Sequence, residues 1–239
     1  MKSRFVSLSL AAAAAIAAAM AAAPAHAATI AWGTATDVAG PSDVSTQGTL
    51  LYAYTLGATA NNTVNDVTFT DAAAPSSGNT LDFGTSGADG SLVNTASGGK
   101  LSGYVGFSSP TSITDTNYRT LLGDGVYQNP NTTSDMTLTL GSLTVGNEYQ
   151  VQLWVNDSRV GSVATRSLTV SPSGSTGDSI TLKYQTTAST TTTQYGGQYA
   201  IGTFTADAGS EVLTVLVQPE KENESRCLRD YGLHTIAFD

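Results

Sequence analysis

Between Glu148 and Asp157 the chain alternates with a period of two. Tyr149, Val151, Leu153 and Val155 fall on one side, and Gln150, Gln152, Trp154 and Asn156 on the other. No helix places its apolar residues this way, so the segment predicts a strand with one greasy face. The rest of the chain follows the same grammar. Short runs of Thr, Val, Tyr and Leu are punctuated by Gly, Asn, Ser, Pro and Asp at intervals of roughly eight to fifteen residues. Strands are expected near Thr29–Ala35, Gly48–Leu56, Thr63–Thr70, Gly103–Phe107, Met136–Leu140, Glu148–Asn156, Arg166–Val170, Ile180–Lys183, Tyr199–Thr205, Glu211–Val217 and Leu233–Phe238. Arg119–Leu122 has room for one helical turn. The Gly/Ser-rich stretches Ala72–Gly99 and Ser171–Asp178 read as loops, and the Thr-rich run Thr186–Thr193 as an edge strand or a loop. Together these predict an all-β fold, a single jelly-roll-like β-sandwich of roughly ten or eleven strands.

The first 27 residues stand outside that pattern. Lys2 and Arg4 precede an alanine-dominated apolar stretch from Val6 to Ala23, and Ala25-His26-Ala27 has the small-x-small form of an export cleavage site. Residues 1–27 are therefore expected to be a secretory signal peptide and 28–239 the sandwich, secreted to the periplasm or the medium. No later stretch is long and apolar enough to span a bilayer. Removing the leader leaves eight basic residues against nineteen acids, with His234 as the remaining histidine. So acidic a chain is a poor match for nucleic acid, whose affinity rests on phosphate neutralisation. Two histidines and one cysteine exclude zinc-finger, blue-copper and iron–sulfur chemistry. A lone Cys227 makes no internal disulfide.

The polar side of 148–157 is the leading candidate for a site. An indole packs on the apolar C–H faces of a sugar, and amides exchange hydrogen bonds with hydroxyls. Gln150, Gln152, Trp154 and Asn156 would form the floor, with Arg159, Tyr104 and Tyr118 as a rim. The competing readings make Trp154 a core residue beneath a loop and Arg159 the ion-pair partner of Asp157, holding a loop. Calcium is a further expectation, with Asp37, Asp43 and Asp239 as ligands should the first and last strands be neighbours. No other cofactor is implied.

Catalysis has less support. A Ser-His-Asp triad would need His234, which sits inside a strand pattern, and no G-x-S-x-G elbow exists. A two-carboxylate hydrolase would draw on acids at strand ends or in loops, such as Glu148, Asp157, Glu211 and Asp82, and needs a pair on different strands. Glu148 and Asp157, at the two ends of one strand, would lie roughly 30 Å apart. The segment 219–230 is densely charged and reads as an exposed loop.

Several runs resemble a group of exported bacterial β-sandwich proteins, many of which carry PEP-type C-terminal sorting tails. They are Ile30-Ala31-Trp32-Gly33, Asp43-Val44-Ser45-Thr46, Val64-Asn65-Asp66-Val67-Thr68-Phe69, Leu143 to Arg159, and Gly202-Thr203-Phe204-Thr205-Ala206-Asp207. More distantly the arrangement is similar to galactose-binding-like and malectin-like jelly rolls. The exported group implies no activity and supplies no catalytic residues. The distant jelly-roll likeness implies carbohydrate binding, and together with the polar face of 148–157 it makes a non-catalytic sandwich that binds an extracellular glycan or polysaccharide the leading expectation. The chain departs from the group at its end, where Ile236-Ala237-Phe238-Asp239 reads as strand in place of a sorting tail. The alternatives are a polysaccharide-degrading enzyme, hydrolase or lyase, and a structural matrix or surface-assembly protein.

Overall fold

The fold was obtained as a computed structural model, which describes residues 28–105, 109–129, 135–161, 166–173, 178–218 and 232–238. The segment 1–27, the charged run 219–230 with Cys227, and Asp239 lie outside the described residues.

The alternating segment forms β11 (Glu148–Asn156), the middle of the larger sheet. β11 is flanked by β14 (Gln198–Thr205) and β16 (Gly232–Phe238), both antiparallel to it. Outward from β14 come the two-residue strands β1 (Ala31–Trp32) and β2 (Thr36–Asp37). Outward from β16 come β3 (Leu50–Leu56), β5 (Val67–Ala72) and β4 (Asn62–Val64). β3 and β5 run parallel. The second sheet has six antiparallel strands in the order β13 (Ile180–Lys183), β12 (Ser167–Pro172), β15 (Glu211–Gln218), β10 (Met136–Leu140), β7 (Gly90–Asn94) and β6 (Thr80–Phe83). A separate hairpin pairs β8 (Lys100–Tyr104) with β9 (Gly125–Asn129).

The two large sheets meet face to face. Tyr149, Val151, Leu153 and Val155 of β11 and Phe204 of β14 share one core with Leu92, Leu138, Leu140, Leu168, Val170, Leu213 and Val215 of the six-stranded sheet. Burying each such aliphatic chain contributes ~1.5–3 kcal/mol. Close packing at the sheet corner also fixes Gly57, which follows β3 with φ 81°; a Cβ there would sit 2.0 Å from the carbonyl oxygen of Gly125.

The architecture is the expected all-β sandwich, with more strands than ten or eleven: sixteen are defined among the described residues. Two differences account for much of this. The stretch 72–99, read as loop, contains β6 and β7, which each turn only two or three residues inward. The run 63–70, read as one strand, is the hairpin β4–β5, turned by Asn65 and Asp66 at φ 49° and 64°. Both are residue types that tolerate the left-handed region tight hairpins require. The Thr-rich run 186–193 is loop rather than strand. The expected single turn is the helix α1 (Thr116–Gly123), capped by the Asp115 side chain, which accepts from the Tyr118 N–H at 2.7 Å. Among the described residues no helix is long and apolar enough to cross a membrane.

Candidate functional site

The amide-and-indole face of β11 points away from the main core, as its alternation requires, but it is not open. Helix α1 and the segment 38–46 lie over it and close a second, smaller core. Trp154 is 0% exposed there. It is surrounded by Val44, Ala53, Val67, Phe69, Ile113, Tyr118, Leu121 and Leu122. Its ring meets Phe69 edge-on at 6.1 Å and tilts against Tyr199 at 6.3 Å. The expectation of a sugar-facing Trp154 is therefore corrected. A large apolar ring on a sheet face gains more from burial under a helix than from water, and this chain supplies the helix.

The amides serve the covering layer. Gln152 donates from Nε2 to the Asp43 carbonyl at 2.6 Å and accepts at Oε1 from the Ser45 N–H at 3.0 Å. Asn156 donates to the Leu122 carbonyl at the end of α1, at 2.7 Å, and accepts from the Gly197 N–H at 3.1 Å. Each amide clamps one covering segment to the strand. Gln150 is half-buried, and its Oε1 has no hydrogen-bond partner among the described residues.

Of the rim residues, Tyr118 departs from the expectation, and Arg159 follows the alternative reading, an ion pair with Asp157. Tyr118 is buried, and its hydroxyl donates to Asp43 Oδ2 at 2.9 Å. Burial above all, and then the Asp43 carboxylate, hold this phenol well above its ordinary pKa, so it stays a proton donor. The Trp154 indole lies close enough to favour the charged phenol slightly, without a hydrogen bond of good geometry. Arg159 is folded back on its neighbour: Nε and Nη2 grip both oxygens of Asp157, at 2.8 and 2.5 Å. These two nitrogens are thus engaged within the protein. Tyr104 ends β8, paired with Gly125 in the separate hairpin rather than on the eight-stranded sheet.

The calcium expectation meets similar competition. Asp43 Oδ2 accepts from the Ala39 N–H, the Gly40 N–H and the Tyr118 hydroxyl. Asp37 accepts from Gln198 Nε2 at 2.9 Å. Asp43 orients toward local donors, as a turn former does, and Asp37 toward the neighbouring strand β14. Among the described residues no group of three or more His, Cys, Asp or Glu side chains could hold a metal ion. Asp239 lies outside the described residues.

We expect Tyr118→Phe to lower stability by about 1–2 kcal/mol, because it strips Asp43 of a buried donor and leaves the ring in place. Urea denaturation checks this, and an unchanged midpoint would show the bond to be dispensable.

Two further polar constellations were not legible as units. Around Asp157, itself fully buried, lie Arg159, Arg166, Gln185 and Ser189. Arg166 Nη1 approaches Asp157 Oδ2 at 3.6 Å, and Gln185 Nε2 lies within hydrogen-bond distance of the Asp157 and Arg159 carbonyls and Ser189 Oγ. The dense polar run Asn156 to Arg159 directly after a core strand was the one signal available. The second is Glu211, at the start of β15 and 1% exposed. Burial pushes its carboxyl up to about 7; the bond from the Ala28 N–H opposes this and the charge of Asp207 adds to it. Such a shift suits a general acid, but the chain's own segment at Ala28 seals the group from any substrate.

The open surface lies on the other side of the molecule. On the outer face of the six-stranded sheet, β10 presents Thr137 and Thr139, β12 presents Ser167, Thr169 and Ser171, and β15 presents Val212, Thr214 and Leu216. β7 adds Ser91 and Val93. All are half-exposed, and among the described residues no helix covers them. Asp82 of β6 and Lys183 of β13 are the charges on this face among the described residues, and both sit on edge strands. Thr169 and Thr181 join across strands through their hydroxyls at 2.9 Å.

Fold and surface together define an all-β sandwich in which, among the described residues, one outer face is covered and the other is not. No protein-family model matches the chain, nor does any curated protein or solved structure.

Proposed function

We propose that this is an exported, non-catalytic carbohydrate-binding sandwich that lays the outer face of its six-stranded sheet against an uncharged, hydroxyl-rich polymer. The observation that supports the reading is the composition of that face. Strand spacing of about 4.8 Å and a same-face repeat of roughly 6.7 Å set Ser and Thr side chains on a lattice. Each Thr offers a hydroxyl and a methyl from the same carbon. A polysaccharide surface likewise alternates hydroxyls with C–H patches, so both kinds of contact are available together. Charge points the same way. The chain carries a formal net charge of -9, yet this face is neutral apart from one acid and one base at its edges. An acidic body disfavours packing against its own copies, whereas a neutral polymer meets no such repulsion.

The test is retention on insoluble cellulose, chitin and xylan, together with a glycan array. Thr139→Lys combined with Thr169→Lys should weaken retention about tenfold, since each buried ammonium must shed water without a counter-charge. Trp154→Phe should leave retention unchanged in folded protein. Failure of the wild type to bind any polymer, or a double variant that binds as well, overturns the reading. Release of reducing sugar would overturn its non-catalytic part, and concentration-dependent sedimentation would favour an assembly protein instead.

A further inference from the structure

The first described residue is already part of the folded body. Ala28 is 6% exposed and belongs to the main core, and Ile30 two residues on is fully buried. The backbone nitrogen of Ala28 lies 2.9 Å from Oε2 of Glu211, across 183 residues of sequence. Glu211 is 1% exposed. Its other oxygen, Oε1, is buried with no hydrogen-bond partner among the described residues. Asp207 is the charged group that acts on it, and it is of the same sign.

A buried carboxylate whose donors are the backbone amides of Ala28 and Val212, with one oxygen left without a hydrogen bond and a like charge nearby, is poorly satisfied. An amide nitrogen has a single hydrogen to give. A free α-ammonium at the same position has three, together with a full positive charge, and would serve both carboxylate oxygens. The sequence marks that nitrogen as the one export processing would release, directly after Ala25-His26-Ala27.

We propose that hydrolysis of the Ala27–Ala28 bond creates the missing partner of Glu211, so that removal of the leader completes a buried ion pair at the start of β15. Water adds across the amide; Ala27 departs with the carboxylate and Ala28 keeps the protonated amine. The proposal rests on the leader reading and is independent of what the sandwich binds. Processing thereby becomes a folding signal. With the leader attached, Glu211 is neutral in the fold or buried and uncompensated. With it removed, the same carboxylate locks the first strand onto the second sheet.

The experiment compares the mature chain beginning with free Ala28, the same chain N-acetylated, and a chain extended by one Gly, each with Glu211 or with Glu211→Gln. Free Ala28 should be the most stable, by about tenfold or more in the folding equilibrium constant. The advantage should vanish in Glu211→Gln. pH provides a second reading that does not require the variant to fold. In the acetylated chain Glu211 has a folded pKa above its unfolded value, so its contribution is complete below about 4.5 and is lost as pH rises through about 7. Acetylated protein should therefore lose stability across that interval, while free Ala28 protein should not. Equal stability of the three chains, an advantage that persists in Glu211→Gln, matching pH profiles, or an exported protein whose N-terminus is not Ala28 would each overturn the proposal.

Discussion

Trp154→Ala is expected to lower the unfolding free energy by about 3–5 kcal/mol, enough to threaten folding of a domain of ordinary stability. The ring is fully buried between β11 and the layer formed by α1 and residues 38–46. Its removal leaves Phe69, Tyr118 and Tyr199 facing a cavity that a sheet on one side and a helix on the other cannot collapse to fill. The two amides that clamp the cover, Gln152 and Asn156, flank it on the same strand face. The cover should therefore loosen as a unit, and hydrogen exchange in residues 116–123 should quicken along with the global loss. Chemical denaturation gives the magnitude. A loss below about 1 kcal/mol would mean that the ring is exposed in solution and that the second core is not formed.

Asp157→Ala should be comparably severe, about 3–5 kcal/mol, by a different route. Asp157 is fully buried and is the shared counter-charge of Arg159, at 2.5 Å, and Arg166, at 3.6 Å. Arg166 is itself 1% exposed. Deleting the carboxylate leaves guanidinium charge in a space that also excludes water. Asp157→Asn keeps the shape and the acceptor oxygen but not the charge, and should fall between the two. A double variant replacing both Asp157 and Arg166 with apolar residues should recover part of the loss, because the buried guanidinium that Asp157 faces is then removed with it. Midpoints from thermal and urea unfolding measure all three. If Asp157→Ala unfolds like the wild type, the cluster is solvated and the buried pair is not structural.

How far the sequence reached is clearest on β11. Its boundaries and both of its faces were readable because side-chain direction in a strand depends only on parity. Period two assigns Trp154 and Gln152 to one side whatever else the chain does. It says nothing about what lies over that side. The cover comes from 109 residues earlier in the case of Asp43, and the contact that holds it is a backbone carbonyl, which carries no sequence signature. A polar-and-aromatic strand face looks the same whether it awaits a ligand or a helix. Similarly, Asp43 and Asp37 have the composition of cation ligands, and only their hydrogen-bond partners show that turns and a neighbouring strand hold them.

The outer face of the six-stranded sheet escaped notice for the opposite reason. Its Ser and Thr residues are individually unremarkable, spread over separate strands from Thr80 to Lys183 and on to Leu216. They form one surface only through the registers that set Thr139 beside Val212 and Ser91, and Thr169 beside Leu216 and Thr181. The same is true of Ala28 and Glu211, whose meeting no local pattern announces.

What the amino-acid order determined alone was the class: alternation and turn chemistry are local, they act within a few residues, and they leave little but pleated sheet. What tertiary structure decided was which of two similar faces is covered, where the charges find partners, and which surface stays open. Those outcomes depend on pairings between distant segments, and the free energy that selects them comes from burial, which no isolated segment can supply.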